Sequence, residues 1–358
     1  MHAQAVKTRY RIFNRPDVVA TGWYWLLPSR DLKRGAVAGV KILGYDLAVF
    51  RGADGAVAAL DAYCPHMGAH LSEGKVEGNQ LRCFFHNWCF DRQGACTDIP
   101  CLNGNMQQEI MQQGIRTRSW TVAEQSGLIW IWLGADATGS KSPQSHPESH
   151  PQCPDAIPPI PSPPELAGCE YDYSLGNRFA KNCHPNVVMV NAIDEQHFRT
   201  VHNLPGEVLT MAPDAISPDH IEFRNQGRVP SRTLIGKLIG YFYKDRLTYT
   251  LDYWNGSTGT IVFGPDFLHL YLMFALRLNA EGNTEGYCIA FAKKNNGLFS
   301  LFNWLILWLT QVGAFYFASG DTRVFQTIRF QLTTPIAADR AVLAFIQHLD
   351  KQQIFPCA

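Results

Sequence analysis

The sequence has no excess of charge of either sign: among its 358 residues, 31 basic side chains stand against 31 acidic ones. That balance supplies no field to gather nucleic acid or an acidic membrane surface, so neither is expected as a partner. The chain also lacks a basic start followed by an apolar run, the pattern of a secretory signal, and a reducing, cytoplasmic setting is the expectation. No Gly-x-Gly-x-x-Gly sits on a strand–turn–helix pattern and no flavin pattern is present, so nicotinamide oxidation is left to another protein. Internal repeats are absent too.

What is there is an ordinary globular composition, 46% hydrophobic and long enough for two domains. From Gly22 to about Gly134, short strand-like runs such as "VKILGYDLAVFR", "QLRCFFHNWCFD" and "GLIWIWLG" alternate with turns, which predicts a small all-β unit over residues 1–135. Residues 136–166 are crowded with Pro and Ser and read as a linker, with His146 and His150 as solvated linker residues. Residues 167–358 read as an α+β domain: strands at "LTYTLDYW", "TGTIVFG" and "LHLYLMFALRL" form an antiparallel sheet, with helices near 187–202, 298–318 and 337–351. One stretch, 295–320, carries no charge. Its Ser300, Asn303, Thr310 and Ala314 fall near one helical stripe, a polar seam that favours a buried helix over membrane contact.

Ten cysteines in a chain without a secretory signal point to metal rather than disulfides. Two short pairs stand out, Cys64-x-His66 and Cys83-x2-His86, with sixteen residues between them. Mixed Cys/His pairs on successive loops are what a bimetallic iron–sulfur cluster needs, with two thiolates on one iron and two imidazoles on the other. Zinc is the alternative, although zinc fingers group their cysteines together and their histidines together. Gly68, Gly74, Gly78 and Gly94 suit tight loops around such a cluster, and Pro100 suits its closure from water. The remaining cysteines, at 89, 96, 101, 153, 169, 183, 288 and 357, read as structural or incidental.

A second constellation lies in "NAIDEQHFRTVH", which supplies Asn191, Asp194, His197 and His202. Two histidines and a carboxylate on one face of an octahedron form the non-haem Fe(II) arrangement that leaves positions open for dioxygen. Asp194 and His197, three apart, would share a helical face. His202 follows His197 by five, so both can hold one metal only if the helix widens or ends between them, for instance before Pro205. Histidines capping a helix end are the plain alternative.

With both constellations in view, the chain resembles the Rieske non-haem iron oxygenases, specifically catalytic (alpha) subunits of the monooxygenase-type branches. The Cys-x-His and Cys-x2-His pairs and Asp-x2-His-x4-His carry the resemblance. "CFFHNW" departs from the family's usual Cys-Pro-x-His-Gly-Trp through Phe84 and Asn87, which puts the potential and docking surface in question more than the cluster. The resemblance implies an all-β Rieske [2Fe-2S] domain followed by a helix-grip catalytic domain. It implies Cys64, His66, Cys83 and His86 as cluster ligands and His197 and His202 as ligands of Fe(2+). Asp321 is the best candidate for the carboxylate ligand and Asp266 the runner-up. It casts Asp194 as a bridge from an iron-bound histidine to His86 of a neighbouring subunit in a homotrimer, with Asn191 completing the signature. His184 is read as structural. The implied activity is O2-dependent oxidation, with monohydroxylation the expected outcome, electrons from a ferredoxin or NAD(P)H-dependent reductase, and a bulky apolar or specialised metabolite as substrate. Demethylation, desaturation and dihydroxylation on the same site stay open. Two further alternatives are a Rieske electron carrier without its own catalytic iron and a zinc-binding structural protein.

Overall fold

The computed structural model describes residues 10–134 and 157–358, apart from residues 103, 105, 107, 108, 110 and 111 and the stretches 204–207, 229–236, 238–239, 242–245, 266–267 and 295–301. Cys153, His146, His150, Asp266 and most of the linker lie outside the described residues. The chain divides into two compact units, Trp23–Ile160 with Cys357–Ala358, and Met1–Gly22 with Pro161–Pro356.

The first unit is built of short strands. A four-stranded antiparallel sheet orders Ser119–Trp120, Val57–Asp61, Tyr45–Arg51 and Val37–Ile42. A three-stranded sheet centres on Leu128–Leu133, whose six apolar side chains are all buried, as expected of a strand covered on both faces. A second four-stranded sheet joins Lys75–Glu77, Gln80–Arg82, Cys89–Phe90 and Cys96–Asp98. Both Cys/His pairs sit on loops at the edges of these strands: Cys64 and His66 follow Val57–Asp61, and Cys83 and His86 follow Gln80–Arg82.

The second unit is an eight-stranded sheet. Its main path runs Tyr171–Leu175, Thr284–Lys293, Leu270–Leu278, Thr258–Phe263, Tyr249–Trp254, His220–Asn225 and Met211–Ser217, with Phe179–Lys181 also paired to Thr284–Lys293. Neighbouring strands are antiparallel, and Leu251, Tyr253, Ile261, Leu272 and Ala290 make one apolar core with the helices. Its helices include α1 (Pro185–Asn191), α2 (Glu195–Thr200), α3 (Asn303–Gly320), α4 (Thr322–Thr327) and α5 (Arg340–Leu349).

Two expectations change. The helix near 187–202 is two short helices, because the backbone leaves helical geometry at Asp194, which caps α2. Asp194 is therefore at the helix entrance, not on a helical face shared with His197. The uncharged helix is only half-buried. Asn303, Leu307 and Thr310 face the protein, but Trp304, Trp308, Phe315 and Tyr316 are more than half exposed. Residues 10–22 pack with the second unit rather than with the strands of the first: the Asp350 carboxylate accepts hydrogen bonds from the Ile12 and Phe13 amides at 2.8 and 2.9 Å, and Val18–Ala20 pairs with Ile354–Pro356.

Candidate metal centres

The two loops of the first unit repeat one backbone design. The Cys64 amide donates to the Ala69 carbonyl and the Gly68 amide to the Cys64 carbonyl, both at 2.9 Å. In the second loop the Cys83 amide donates to the Trp88 carbonyl (2.9 Å) and the Asn87 amide to the Cys83 carbonyl (3.1 Å). Each loop turns through a left-handed residue four places after its cysteine, Gly68 at φ 76° and Asn87 at φ 60°. Asn is among the few side chains that adopt this conformation readily, so the loop keeps its shape without glycine.

These loops place the cysteines inside and the histidines outside. Cys64 and Cys83 are 3% and 2% exposed, within a core of Leu60, Leu71, Leu81 and Phe90. His66 is exposed and His86 half-exposed, with ring centroids 4.6 Å apart, and His66 stacks on Trp88 at 4.4 Å and 5°. Burial, partly offset by the His66 amide and reinforced by the adjoining Cys83 thiol, pushes the Cys64 thiol up to about 11. Metal must displace that proton, so loading this site releases protons. A single ion would need all four ligand atoms in one shell. Among the described residues, the one group of three or more such atoms within 4.8 Å of one another is elsewhere. Two thiols in the core and two imidazoles towards the surface suit two irons, one for each pair.

That other group is His197, His202 and Asp321. His197 projects from α2, whose first turn is capped by Asp194: its Oδ1 accepts from the Gln196 amide (2.9 Å) and the His197 amide (3.3 Å). The helix ends at Thr200, so His202 leaves the helical path and swings back to His197, their ring centroids 4.8 Å apart. The five-residue spacing is thus accommodated by helix termination. Asp321 caps the C-terminus of α3 and starts α4. Its Oδ1 lies 3.0 Å from His197 Nε2 and 3.1 Å from His202 Nε2.

Asp321 Oδ1 is buried yet has no hydrogen-bond partner, although Oδ2 accepts from Asn191 Nδ2 at 2.9 Å. Burial lowers the pKa of His202 despite the opposing charge of Asp321, which favours the neutral imidazole that offers a lone pair. One orphaned carboxylate oxygen and two imidazole nitrogens converging on one point fit a divalent ion with nitrogen and oxygen preference such as Fe(2+). Sequence reasoning missed the surrounding rings. Phe317 lies 5.2 Å from the His202 ring, Phe198 lies 5.6 Å from that of His197, and Tyr249 packs on Phe198 while donating its hydroxyl to the Ala192 carbonyl. Phe198 was adjacent in sequence to a named histidine, whereas nothing local marks Tyr249. A cleft of about 380 Å³ adjoins the site, lined by Val187, Asn191, Asp194, His197, Phe325 and Phe330. His184 serves structure: it caps α1 through Nδ1, its Nε2 lies 3.0 Å from the Arg15 carbonyl oxygen, and burial lowers its pKa to about 4.

Comparison with protein-family models matches residues 22–116 to the Rieske [2Fe-2S] domain. The chain carries a Rieske [2Fe-2S] domain. Its Rieske unit carries both Cys/His loops, and its curated relatives are oxidoreductases. Among them are cholesterol 7-desaturase of Bombyx mori, 34% identical over 52% of this chain, and a probable 3-ketosteroid-9-alpha-monooxygenase oxygenase component of Rhodococcus rhodochrous, 33% identical over 52%. The matches span 36% and 42% of those relatives' own lengths, less than half of each. Among solved structures, NdmB of Pseudomonas putida CBB5 superposes with a TM-score of 0.62 at 16% identity, covering 91% of this chain and 89% of that one. Dicamba monooxygenase, solved with non-haem iron and dicamba, superposes with a TM-score of 0.55 at 18% identity, covering 93% and 96%. The chain shares the fold of these two solved structures: an all-β unit, then an antiparallel sheet with helices.

Proposed function

We propose that the chain is the terminal oxygenase of a multicomponent system that oxidises a bulky apolar molecule of the steroid class with O2, inserting one hydroxyl group. The carrying observation is that His197, His202 and Asp321 converge on one point in a chain that also has a Rieske domain. A pure electron carrier has no use for that convergence. The steroid class rests on the printed names of the relatives, cholesterol 7-desaturase and 3-ketosteroid-9-alpha-monooxygenase, and desaturation is the second reading on the same ground.

In this reading Cys64, His66, Cys83 and His86 hold the cluster, and His197, His202 and Asp321 hold Fe(2+). Bound there, the iron would supply open positions for dioxygen and the cluster would supply electrons. Asn191 fixes the orientation of Asp321 by occupying Oδ2, which leaves Oδ1 for the metal side. Phe317 and Phe198 cover the imidazoles and exclude water beside them. Asp194 places its carboxylate at the base of the His197 helix, on the cleft wall, where it can meet His86 of a neighbouring copy in a head-to-tail homotrimer. The electrons come from a ferredoxin or NAD(P)H-dependent reductase in the cytoplasm, a reducing setting that keeps thiols available as metal ligands.

The first experiment measures iron and acid-labile sulfide per chain in anaerobically purified protein, with an EPR spectrum after reduction. About three irons and two sulfides with a Rieske signal support the reading. Two irons and two sulfides that added Fe(2+) does not raise would leave an electron carrier. Turnover of 3-ketosteroids and cholesterol with a generic reductase under 18O-labelled dioxygen then separates hydroxylation from desaturation by product mass.

A further inference from the structure

Helix α3 packs one side on the sheet, where Leu307 and Thr310 are buried and the Asn303 side chain donates to Asp172 at 2.9 Å. Its opposite side is apolar and open. At 100° per residue, Trp304, Phe315, Trp308, Val312, Tyr316 and Leu309 fall in that order across about 140° of arc. The four aromatics are 67%, 77%, 57% and 74% exposed (Trp304, Phe315, Trp308, Tyr316). With roughly 150–250 Å² per ring they present about 500 Å², as much as the largest apolar patch on a typical monomer. Trp and Tyr set among Phe, Leu and Val are the side chains that settle at headgroup depth in a bilayer. Among the described residues no helix is long and apolar enough to cross a membrane, and α3 has committed one side to the sheet. Contact is therefore along the side of the helix.

Charge decides what covers this face. No charged residue lies between 295 and 320; exposed Lys293 and Lys294 stand before it, and buried Asp321 and exposed Arg323 after it. Lys293 is fixed beside the helix start, because Asn303 Nδ2 also donates to the Lys293 carbonyl at 3.4 Å; Lys294, 3.6 Å from Asp172, follows it, and exposed Arg323 lies just past the last turn. Two copies packed through this face would set cation against cation, whether the helices ran parallel or antiparallel. Anionic headgroups suit both ends at once. We propose that the aromatic face of α3 docks on the surface of an anionic lipid bilayer. The last turn of the helix carries Phe317 against His202 on the side turned away from that face, so the docked helix ends at the metal site, where an apolar substrate drawn from the bilayer would react. That last step rests on the proposed reaction, whereas the docking does not.

The test is co-sedimentation of the full metal-loaded chain with phosphatidylcholine vesicles, with and without phosphatidylglycerol, for wild type, the triple variant W304S/W308S/F315S and Lys293→Ala. Wild type should bind the anionic vesicles at least about tenfold more tightly than the triple variant, which removes three large apolar side chains from the interface. Lys293→Ala should weaken binding about fivefold, the effect of one basic residue near an anionic surface, and added salt should weaken it further. Unchanged iron and sulfide content certifies that the triple variant is folded. If it is not, the Lys293→Ala and salt results decide. Wild type that stays in the supernatant with both vesicle types overturns the proposal. So does a folded triple variant that binds as well as wild type, or a self-association in ultracentrifugation that only the triple variant loses, which would give the face to a second copy. Vesicle binding needs no turnover, so its failure and failure of the proposed oxygenase reaction are read separately.

Discussion

In the first unit, four candidate ligands come from two neighbouring loops, sulfur buried and imidazole exposed; in the second, three come from the end of one helix, the coil after it and the end of another, and all are nearly buried, His197 at 7% and Asp321 at 8%. The exposed edge of the first suits a centre that must pass electrons outward. The enclosed second site suits a centre that must keep water away from what is bound there. The loops repeat one hydrogen-bond design, each closed within five residues of its cysteine. The second site depends on where two helices happen to stop.

That difference sets the largest predicted effects. Cys64→Ser should abolish the Rieske EPR signal and leave added Fe(2+) still bound at His197, His202 and Asp321. Asp321→Ala should do the reverse: iron falls from about three to about two per chain with sulfide unchanged, and turnover drops below about 1% of wild type, beyond the 10- to 100-fold typical of residues that only support ligands. Iron and sulfide analysis of both variants checks the pair. If Asp321→Ala keeps its third iron, the carboxylate ligand is elsewhere and Asp266 is next to test.

The contrast also explains what the sequence disclosed. Cys64, His66, Cys83 and His86 lie in short windows whose spacing alone states their chemistry. His197 and His202 were legible as a pattern, but whether a five-residue spacing could serve one metal depended on the helix ending at Thr200, which packing decides. Asp321 is hydrogen-bonded to Asn191 from 130 positions away, and no local signal ties such a residue to a site. Helix α3 misled for a related reason. The stripe through Asn303 and Thr310 did mark the side that packs, but nothing in the periodicity showed that the apolar opposite side was left open.

Asp194 lies between the two plans and gives an intermediate prediction. Asn is as good a cap as Asp, so Asp194→Asn should preserve α2, the cluster and most of the mononuclear iron while removing the charge. With the bridging role, turnover falls about 10- to 100-fold. A variant with wild-type turnover would reduce Asp194 to a helix cap. Asp194→Ala separates the two roles from the other side: losing the cap costs about 1 kcal/mol of stability, read from a thermal melt, in addition to the lost turnover.

The smallest effect belongs to the first unit and tests whether its two loops are equivalent. Asn87 occupies the left-handed position that Gly68 fills in the other loop. Its carbonyl also accepts a hydrogen bond from Arg82 Nη1 at 2.7 Å, a contact that any residue at this position retains. Asn87→Gly should therefore change stability by no more than about 0.5 kcal/mol, with relief of the left-handed strain set against the added freedom of the unfolded chain. Asn87→Val, whose branched side chain resists positive φ, should cost about 1–2 kcal/mol and lower the melting temperature of the cluster signal. If valine is tolerated as well as glycine, the second loop is not held in the shape of the first, and the cluster rather than the backbone sets the fold at His86.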